Sequence, residues 1–553
     1  MSYLVSPDFL RVVLLGFITS AHMTWRRLVN RIVPEPYLDE FFHVPQAQAY
    51  WFGKWTQWDP KITTPPGLYV YSYAVNSIRD FFSKEEIKPS IDEWRLTNVL
   101  LLYLLLVALY ILAAVGRRSV QHESILQREF SIICFPLIFF FSGIYYTDLF
   151  SVFTVVVAQV FWSASTNAEG PVKLLYQSLH LVAGLASLAA RQTNVFWVAV
   201  YLGGLQVVES IKSRVGADKV HDPPVSESYF EGSHDASLHT LFVHVHYLTT
   251  IIDFPITSIS LAQAAVPLLP PLVLDLWPQL SLLVSFAAFV VWNGGVVLGD
   301  KDNHIATIHL PQMLYIWPAI IFFSWPVVLP LFSDLSILRK RLPRLTTMIT
   351  FTAIMAAVVN LNTIIHPFTL ADNRHYTFYV FAILRKHWLV KYAAVPVHVV
   401  CAALVIGSLG GTTDITSATQ KGIRILHGDD TVCVSFVIVW LIATSLSLVA
   451  APLVEPRYFL IPWLMWRLAV PEYRAPSAEK RKRLELEKKA TASDRSPTNP
   501  ASIVQSSLRT AAAYADWLEL AWYMAVNAVT CYVFLYRGFE WPQEAGNVQR
   551  FMW

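Results

Sequence analysis

The chain has 553 residues, of which 55% are hydrophobic and 15% charged, with a formal net charge of +3 and a mean hydropathy of +0.45. Water-soluble globular proteins carry about a quarter charged residues, so these figures exclude one, and no polar stretch reaches the ~100–150 residues of a typical soluble domain. A net charge of +3 argues for no nucleic-acid partner, and the basic residues are better read by position, as topology signals.

Apolar runs recur at 9–25, 96–115, 130–145, 149–165, 174–190, 195–208, 280–298, 311–332, 345–365, 390–409, 431–452, 458–468 and 508–536. Runs of about 17–25 apolar residues are what a helix needs to cross lipid with every backbone group satisfied internally. The segment 247–277 is also apolar, but Pro255, Pro267, Pro270 and Pro271 interrupt it, leaving an interfacial helix, a broken pair of spans or one kinked span open. The expected fold is therefore an all-α polytopic membrane protein of 12 to 14 spans, one membrane-embedded domain over 1–553. The region 377–388 is left between a span and a luminal helix.

The basic clusters at 117–128, 212–219, 339–344 and 474–489 are separated from one another by even numbers of spans, which puts all four on the cytosolic face. Arg26, Arg27 and Arg31 vote the other way. The cytosolic loops are then 211–246 and 471–507, with 215–236 and 475–507 read as solvated linkers and a short helix at 479–490. The first span lacks a small-residue cleavage site and is read as a retained anchor. Cys134, Cys401, Cys433 and Cys531 lie in apolar runs without CxxC spacing, so they are expected to be buried thiols holding neither metal nor disulfide.

On the opposite face the polar residues change character. The longest segment there, 34–95, contains Asp39, Glu40, His43, Gln46, Trp58 and Asp59. On a helix starting near Leu38, Asp39, His43 and Gln46 fall at i, i+4 and i+7 and share one face, with Glu40 about 100° around. Shorter stretches follow: Arg191 to Asn194, Asp300-Lys301-Asp302-Asn303-His304, Asp372-Asn373-Arg374-His375-Tyr376 and Glu455-Pro456-Arg457-Tyr458. Cations at the hydrocarbon edge are costly unless paired, and together they suit a phosphate whose lipid tail lies in the bilayer. The Asp300-Lys301-Asp302 triplet has no βαβ context, His244 and His246 sit beside a cytosolic loop, and no GxGxxG, Walker A, HExxH or GxSxG motif occurs. Without an evident internal repeat or paired discontinuous helices, a transporter is the weaker alternative.

These stretches carry a resemblance. Residues 36–50, 57–69, 191–194, 299–301, His309-Leu310-Pro311-Gln312, 366–379, 457–462 and 549–553 resemble those of the eukaryotic dolichyl-phosphate-glucose-dependent α-1,2-glucosyltransferases of the endoplasmic reticulum, over nearly the whole chain. The long inserts at 215–236 and 475–507 depart from the family pattern, whereas the acidic first loop does not. The resemblance implies a GT-C-like fold and a site facing the lumen, with a catalytic carboxylate in the first luminal loop. It also implies dolichyl phosphate glucose as donor and Glc2Man9GlcNAc2-PP-dolichol as acceptor. A mannose-donor enzyme of the same superfamily is the nearest rival.

A β-linked donor giving an α-linked product inverts C1, so a carboxylate is expected to act as general base on the acceptor hydroxyl. Asp39 is the first choice, and Glu40 the second, with orientation of the acceptor sugar as its other possible role. Arg374, His375 and Arg457, then Arg191 and Lys301, are the expected phosphate ligands. His43, Gln46, Trp58, Asp59, His304, Asp372, Asn373 and Tyr376 are expected to contact sugar or hold loops. No metal cofactor is expected, activity should survive EDTA, and the enzyme should be a monomer in the membrane.

Overall fold

The computed structural model describes residues 7–83, 89–116, 125–225, 249–299, 301, 307–333, 338–339, 341–365, 367–410, 432–451, 453–471, 500–544 and 546–553. The expected helix at 479–490 and His304 lie outside these residues. Most of the described residues are helical, with one two-stranded antiparallel ribbon pairing Phe539 with Gln549 and Glu540 with Val548. This is an all-α, multi-pass membrane protein: eight helices among the described residues are long and apolar enough to cross a membrane, and shorter apolar helices accompany them.

Helix α1 (Pro7–Ile32) ends in a polar region holding α2 (Glu40–Trp51) and α3 (Gly67–Phe82), and α4 (Ile91–Gly116) returns. Glu93 starts α4 by accepting the Ser90 backbone N–H at 2.8 Å, a capping-box contact reinforced by acids in the first turn. The run 130–145 is broken, not continuous: α5 (Ile125–Ile133) stops and α6 (Pro136–Ser142) restarts, because Pro136 donates no backbone hydrogen bond. Phe135 at the break stacks on Trp463 at 3.6 Å between centroids. Helices α7 (Thr147–Thr166) and α8 (Gly170–Leu188) form an antiparallel pair, followed by a short 3-10 turn at Gln192–Asn194 and a π-helical stretch at Phe196–Tyr201 leading into α9 (Leu202–Val215).

The ambiguous segment resolves into α10 (Thr249–Ala265) and α11 (Leu269–Asp275), joined through a 3-10 turn at Val266–Leu268. Asp253 lies 3.1 Å from His221, and Asp275 pairs with Arg214 at 2.6 Å. Both ends are thus held beside the end of α9, although the length of the stretch alone would allow a crossing. The same contacts correct the linker reading at 215–236: Asp222 is buried, takes the Ser435 backbone N–H at 2.8 Å and pairs with Lys212, while Val225 donates to Val432. At least residues 220–225 are packed, since a buried carboxylate persists only when paired.

Helix α12 (Trp277–Asn293) leads to α13 (Gln312–Val328), α14 (Leu345–Asn362), α15 (Pro367–Ala371), α16 (Tyr376–Arg385) and α17 (Trp388–Ser408). With ten residues, α16 is too short to span, which answers the question left at 377–388. Then come α18 (Val434–Leu448), α19 (Leu460–Ala469), α20 (Pro500–Ala513) and α21 (Ala515–Tyr536). Arg467 of α19 is buried against Glu519 at 2.8 Å and Asp516 at 2.9 Å of α21, and Tyr523 donates to Glu519 at 2.7 Å. All of these ionised groups have partners, as burial in lipid requires. The four cysteines are free thiols.

The described segments 33–66, 143–146, 189–194, 294–299, 307–311, 367–375, 449–451, 453–459 and 546–553 are linked to one another by hydrogen bonds and gather on one face. Thr63 accepts both the Leu298 backbone N–H at 3.3 Å and the Gln192 side chain at 2.8 Å. A Cβ at Gly299 would run into the carbonyl oxygens of Pro60 and Ile62. Gly299→Ala is therefore expected to cost about 1–3 kcal/mol, the range for overpacking a rigid contact, read as a lowered thermal midpoint of the detergent-solubilised protein.

Candidate active site

Asp39 closes a turn between α1 and α2. Leu38, just before it, adopts φ +50°, and is the only non-glycine residue with positive φ among the described residues. Asp39 occupies the N-cap position of α2, yet its side chain makes no capping hydrogen bond. Its Oδ2 instead accepts from Arg457 Nη1 at 3.0 Å, and its backbone N–H donates to Tyr146 Oη at 3.1 Å. Oδ1 takes no hydrogen bond from the described residues, and the side chain is 40% exposed. Burial raises the Asp39 pKa, but the Arg457 charge and hydrogen bond, with His43 and His375, outweigh it and hold the carboxyl below its ordinary value. At neutral pH this is a carboxylate with one oxygen anchored and one presented.

Arg457 also donates to Glu455 through Nε. Two carboxylates thus fix the guanidinium plane and leave Nη2 as its remaining donor group. His43 lies one helical turn beyond Asp39, as the spacing predicts, with Nδ1 2.6 Å from the Tyr69 hydroxyl. Burial is the main influence lowering the His43 pKa; Asp39 opposes it and Arg457 reinforces it. The imidazole is neutral at pH 7.

Asp148 belongs to this cluster and was not singled out in the sequence. It accepts from Arg191 Nη2 at 2.9 Å, and its Oδ2 is buried without a hydrogen-bond partner. Its charge is felt at His43 and Arg457. The sequence signal was slight: the three residues between the runs 130–145 and 149–165 read as a bare connection, but they hold the first turn of α7 and its acid.

The remaining predicted residues among those described form two groups and two single residues, Lys301 and Glu40. The segment 372–376 forms a second cluster beside the first: Asp372 takes two side-chain hydrogen bonds from Arg374, at 2.8 and 2.7 Å. Arg374 also reaches Gln549 at 3.1 Å and lies over Trp541 at 4.6 Å. Trp541 donates to Asn373 at 2.8 Å. His375 Nδ1 lies 3.1 Å from the Trp553 carbonyl, and Tyr376 packs on the Trp553 ring at 4.9 Å. Of this group His375 influences Asp39 electrostatically. Arg374 is chelated by its own neighbour, so the expectation of a phosphate ligand meets a cation that already has a counterion.

Gln46, Trp58 and Asp59 organise the first loop. Gln46 donates to the Gln57 carbonyl at 2.8 Å and accepts the Asp59 N–H at 2.9 Å, and Asp59 accepts the Lys61 N–H at 2.9 Å. Both polar atoms of the Gln46 amide are used in holding the loop. The Trp58 indole N–H is buried without a partner. Lys301 is exposed and donates to the Asn293 carbonyl, so the structure does not bring it to the Asp39 cluster.

Glu40 points away from the Asp39 cluster's open side. Its side chain is 0% exposed and pairs with Arg95 at 2.6 Å, with a second bond from Arg95 Nε at 2.9 Å. Its oxygens also accept the backbone N–H groups of Tyr37 at 3.1 Å and Tyr145 at 2.7 Å. One residue along a helix is about 100° of rotation, enough to turn Glu40 into the core while Asp39 faces out. A carboxylate with both oxygens engaged and no solvent contact is not placed to touch substrate.

The sequence profile of the DIE2/ALG10 family matches residues 33–468. Over 96% of this chain and 96% of each relative, the chain is 38% identical to the Aspergillus fumigatus protein and 39% identical to the Emericella nidulans protein. It is 29% identical to the mouse protein over 95% of the chain and 94% of that relative. Each of the three is named Dol-P-Glc:Glc(2)Man(9)GlcNAc(2)-PP-Dol alpha-1,2-glucosyltransferase. No solved structure matches. With a profile match over most of its length and relatives that align almost end to end, the chain belongs to the DIE2/ALG10 family.

Proposed function

We propose that this protein transfers glucose, with inversion, from dolichyl phosphate glucose to Glc2Man9GlcNAc2-PP-dolichol, forming the terminal α-1,2 bond at the luminal face of the endoplasmic reticulum membrane. The observation that carries the reading is the Asp39–Arg457 pair, a presented carboxylate oxygen beside an anchored guanidinium, in a chain whose relatives bear that enzyme's name.

Asp39 Oδ1 accepts the proton of the acceptor 2-hydroxyl as that oxygen bonds to C1. The C1–O bond to phosphate breaks on the opposite side, releasing dolichyl phosphate. The phosphodiester carries one charge and the product monoester approaches two, so negative charge grows on the leaving group. Arg457 is the first cation to meet it through Nη2, and Arg191 adds positive charge nearby. This supply of cations supports a metal-independent reaction.

The test is product analysis with purified protein, synthetic acceptor, and dolichyl phosphate glucose or dolichyl phosphate mannose, each with and without EDTA. An α-1,2-glucosylated product from the glucose donor alone, undiminished by EDTA, is expected. Transfer from the mannose donor alone would overturn the substrate assignment, and loss of activity in EDTA would overturn metal independence.

A further inference from the structure

The DIE2/ALG10 reading leaves Glu40, an acid adjacent to the base, without a chemical task, and the turn at Leu38 shows what it does. We infer that Glu40 is a positioning residue: it staples Tyr37 to Tyr145, thereby holds Leu38 in the left-handed region, and so turns Asp39 into the site. The inference rests on the reading of Asp39 as the base.

A branched L-residue in the left-handed region persists only where its surroundings over-determine it. Here they do so on both sides. Before Leu38, the Tyr37 N–H is held by Glu40 Oε2 at 3.1 Å. The Tyr37 hydroxyl donates to the Arg550 carbonyl at 2.8 Å and accepts the Arg550 N–H at 2.7 Å. After Leu38, the Asp39 N–H is held by Tyr146 Oη at 3.1 Å. Tyr146 is itself placed by the preceding residue, whose N–H donates to Glu40 Oε1 at 2.7 Å. One carboxylate therefore fixes both sides of the turn. Arg95 balances its charge and ties it to α1 through Asn30 at 2.9 Å and the Val33 carbonyl at 2.8 Å. The consequence is visible at Asp39, whose side chain does not cap α2 although aspartate is among the best N-caps. If Glu40 let go, Leu38 would relax toward right-handed backbone and the Asp39 carboxylate would be free to turn to the helix N-terminus.

Glycine adopts the left-handed region without penalty, so Leu38→Gly should hold the turn when the staple is gone. Glu40→Gln alone leaves Arg95 buried without a counterion. The experiment therefore uses the charge-neutral pair Glu40→Gln/Arg95→Gln, with Leu38 and with Leu38→Gly, and relates rates to correctly folded, monodisperse enzyme. With Leu38, kcat should fall about 100-fold, within the range for a mispositioned general base, while KM for dolichyl phosphate glucose changes by no more than about threefold. Adding Leu38→Gly should restore kcat roughly tenfold, the scale on which an L-residue is disfavoured in that region. No restoration, or an unchanged kcat in the paired variant, overturns the inference while leaving Asp39 as base. Full turnover by Asp39→Asn together with inactivity of Glu40→Gln would instead overturn the reading on which the inference rests.

Discussion

Asp39→Asn is expected to lower kcat by about 10³–10⁴-fold, the upper part of the range for removing a general base, with donor KM little changed. The substitution is nearly isosteric, and the amide oxygen still accepts from Arg457, so the local fold is retained. What disappears is the capacity to take a proton from the acceptor hydroxyl. Single-turnover measurements with synthetic donor and acceptor would show the loss in the chemical step. Near wild-type turnover in this variant would remove Asp39 from the mechanism. The wild-type pH dependence follows from the same geometry. Because Arg457, His43 and His375 hold the Asp39 pKa below its ordinary value, the base stays ionised as pH falls past the usual carboxylate value of about 3.9. No acid limb from this group is expected between about pH 5 and 8.

Arg457→Met should lower kcat/KM for dolichyl phosphate glucose by about 10²–10³-fold, as when one preorganised donor to a developing oxyanion is lost. It should also move the acid limb upward. Burial raises the Asp39 pKa and Arg457 is the foremost influence lowering it, so without the guanidinium the carboxyl protonates at higher pH. Arg457→Lys should recover only part of the activity, since an ammonium lacks the planar fork that meets Glu455 and Asp39 together. Unchanged donor kinetics in the methionine variant would refute the phosphate role. An unchanged acid limb would separate Arg457 from the base.

Helical patterning and the charged edges of the apolar runs identified an all-α membrane protein, the face carrying the polar chemistry and the shared helix face of Asp39 and His43. The last of these depends on spacing within one segment alone: 3.6 residues per turn places i and i+4 side by side whatever the rest of the chain does. The breaks within apolar runs were less legible. Pro136 splits one run into two helices, and the proline-rich 253–275 is held near both ends beside the end of α9, by His221 and Arg214.

Partnership could not be read from spacing. Asp39 and Arg457 are 418 positions apart in the chain, and Tyr37 meets Arg550 across 513. Two adjacent acids look alike in a sequence. Only the arrival of Arg95 from α4, with the backbone of Tyr145 beside it, made Glu40 an internal staple and left Asp39 facing outward. Likewise Arg374, Arg191 and Arg457 are equal as letters, and were distinguished by which carboxylate each met: Asp372, Asp148, or the pair Glu455 and Asp39. A charge's role depends on what shares its few ångströms of low-dielectric space, and that neighbourhood exists only once the loops of distant spans have converged.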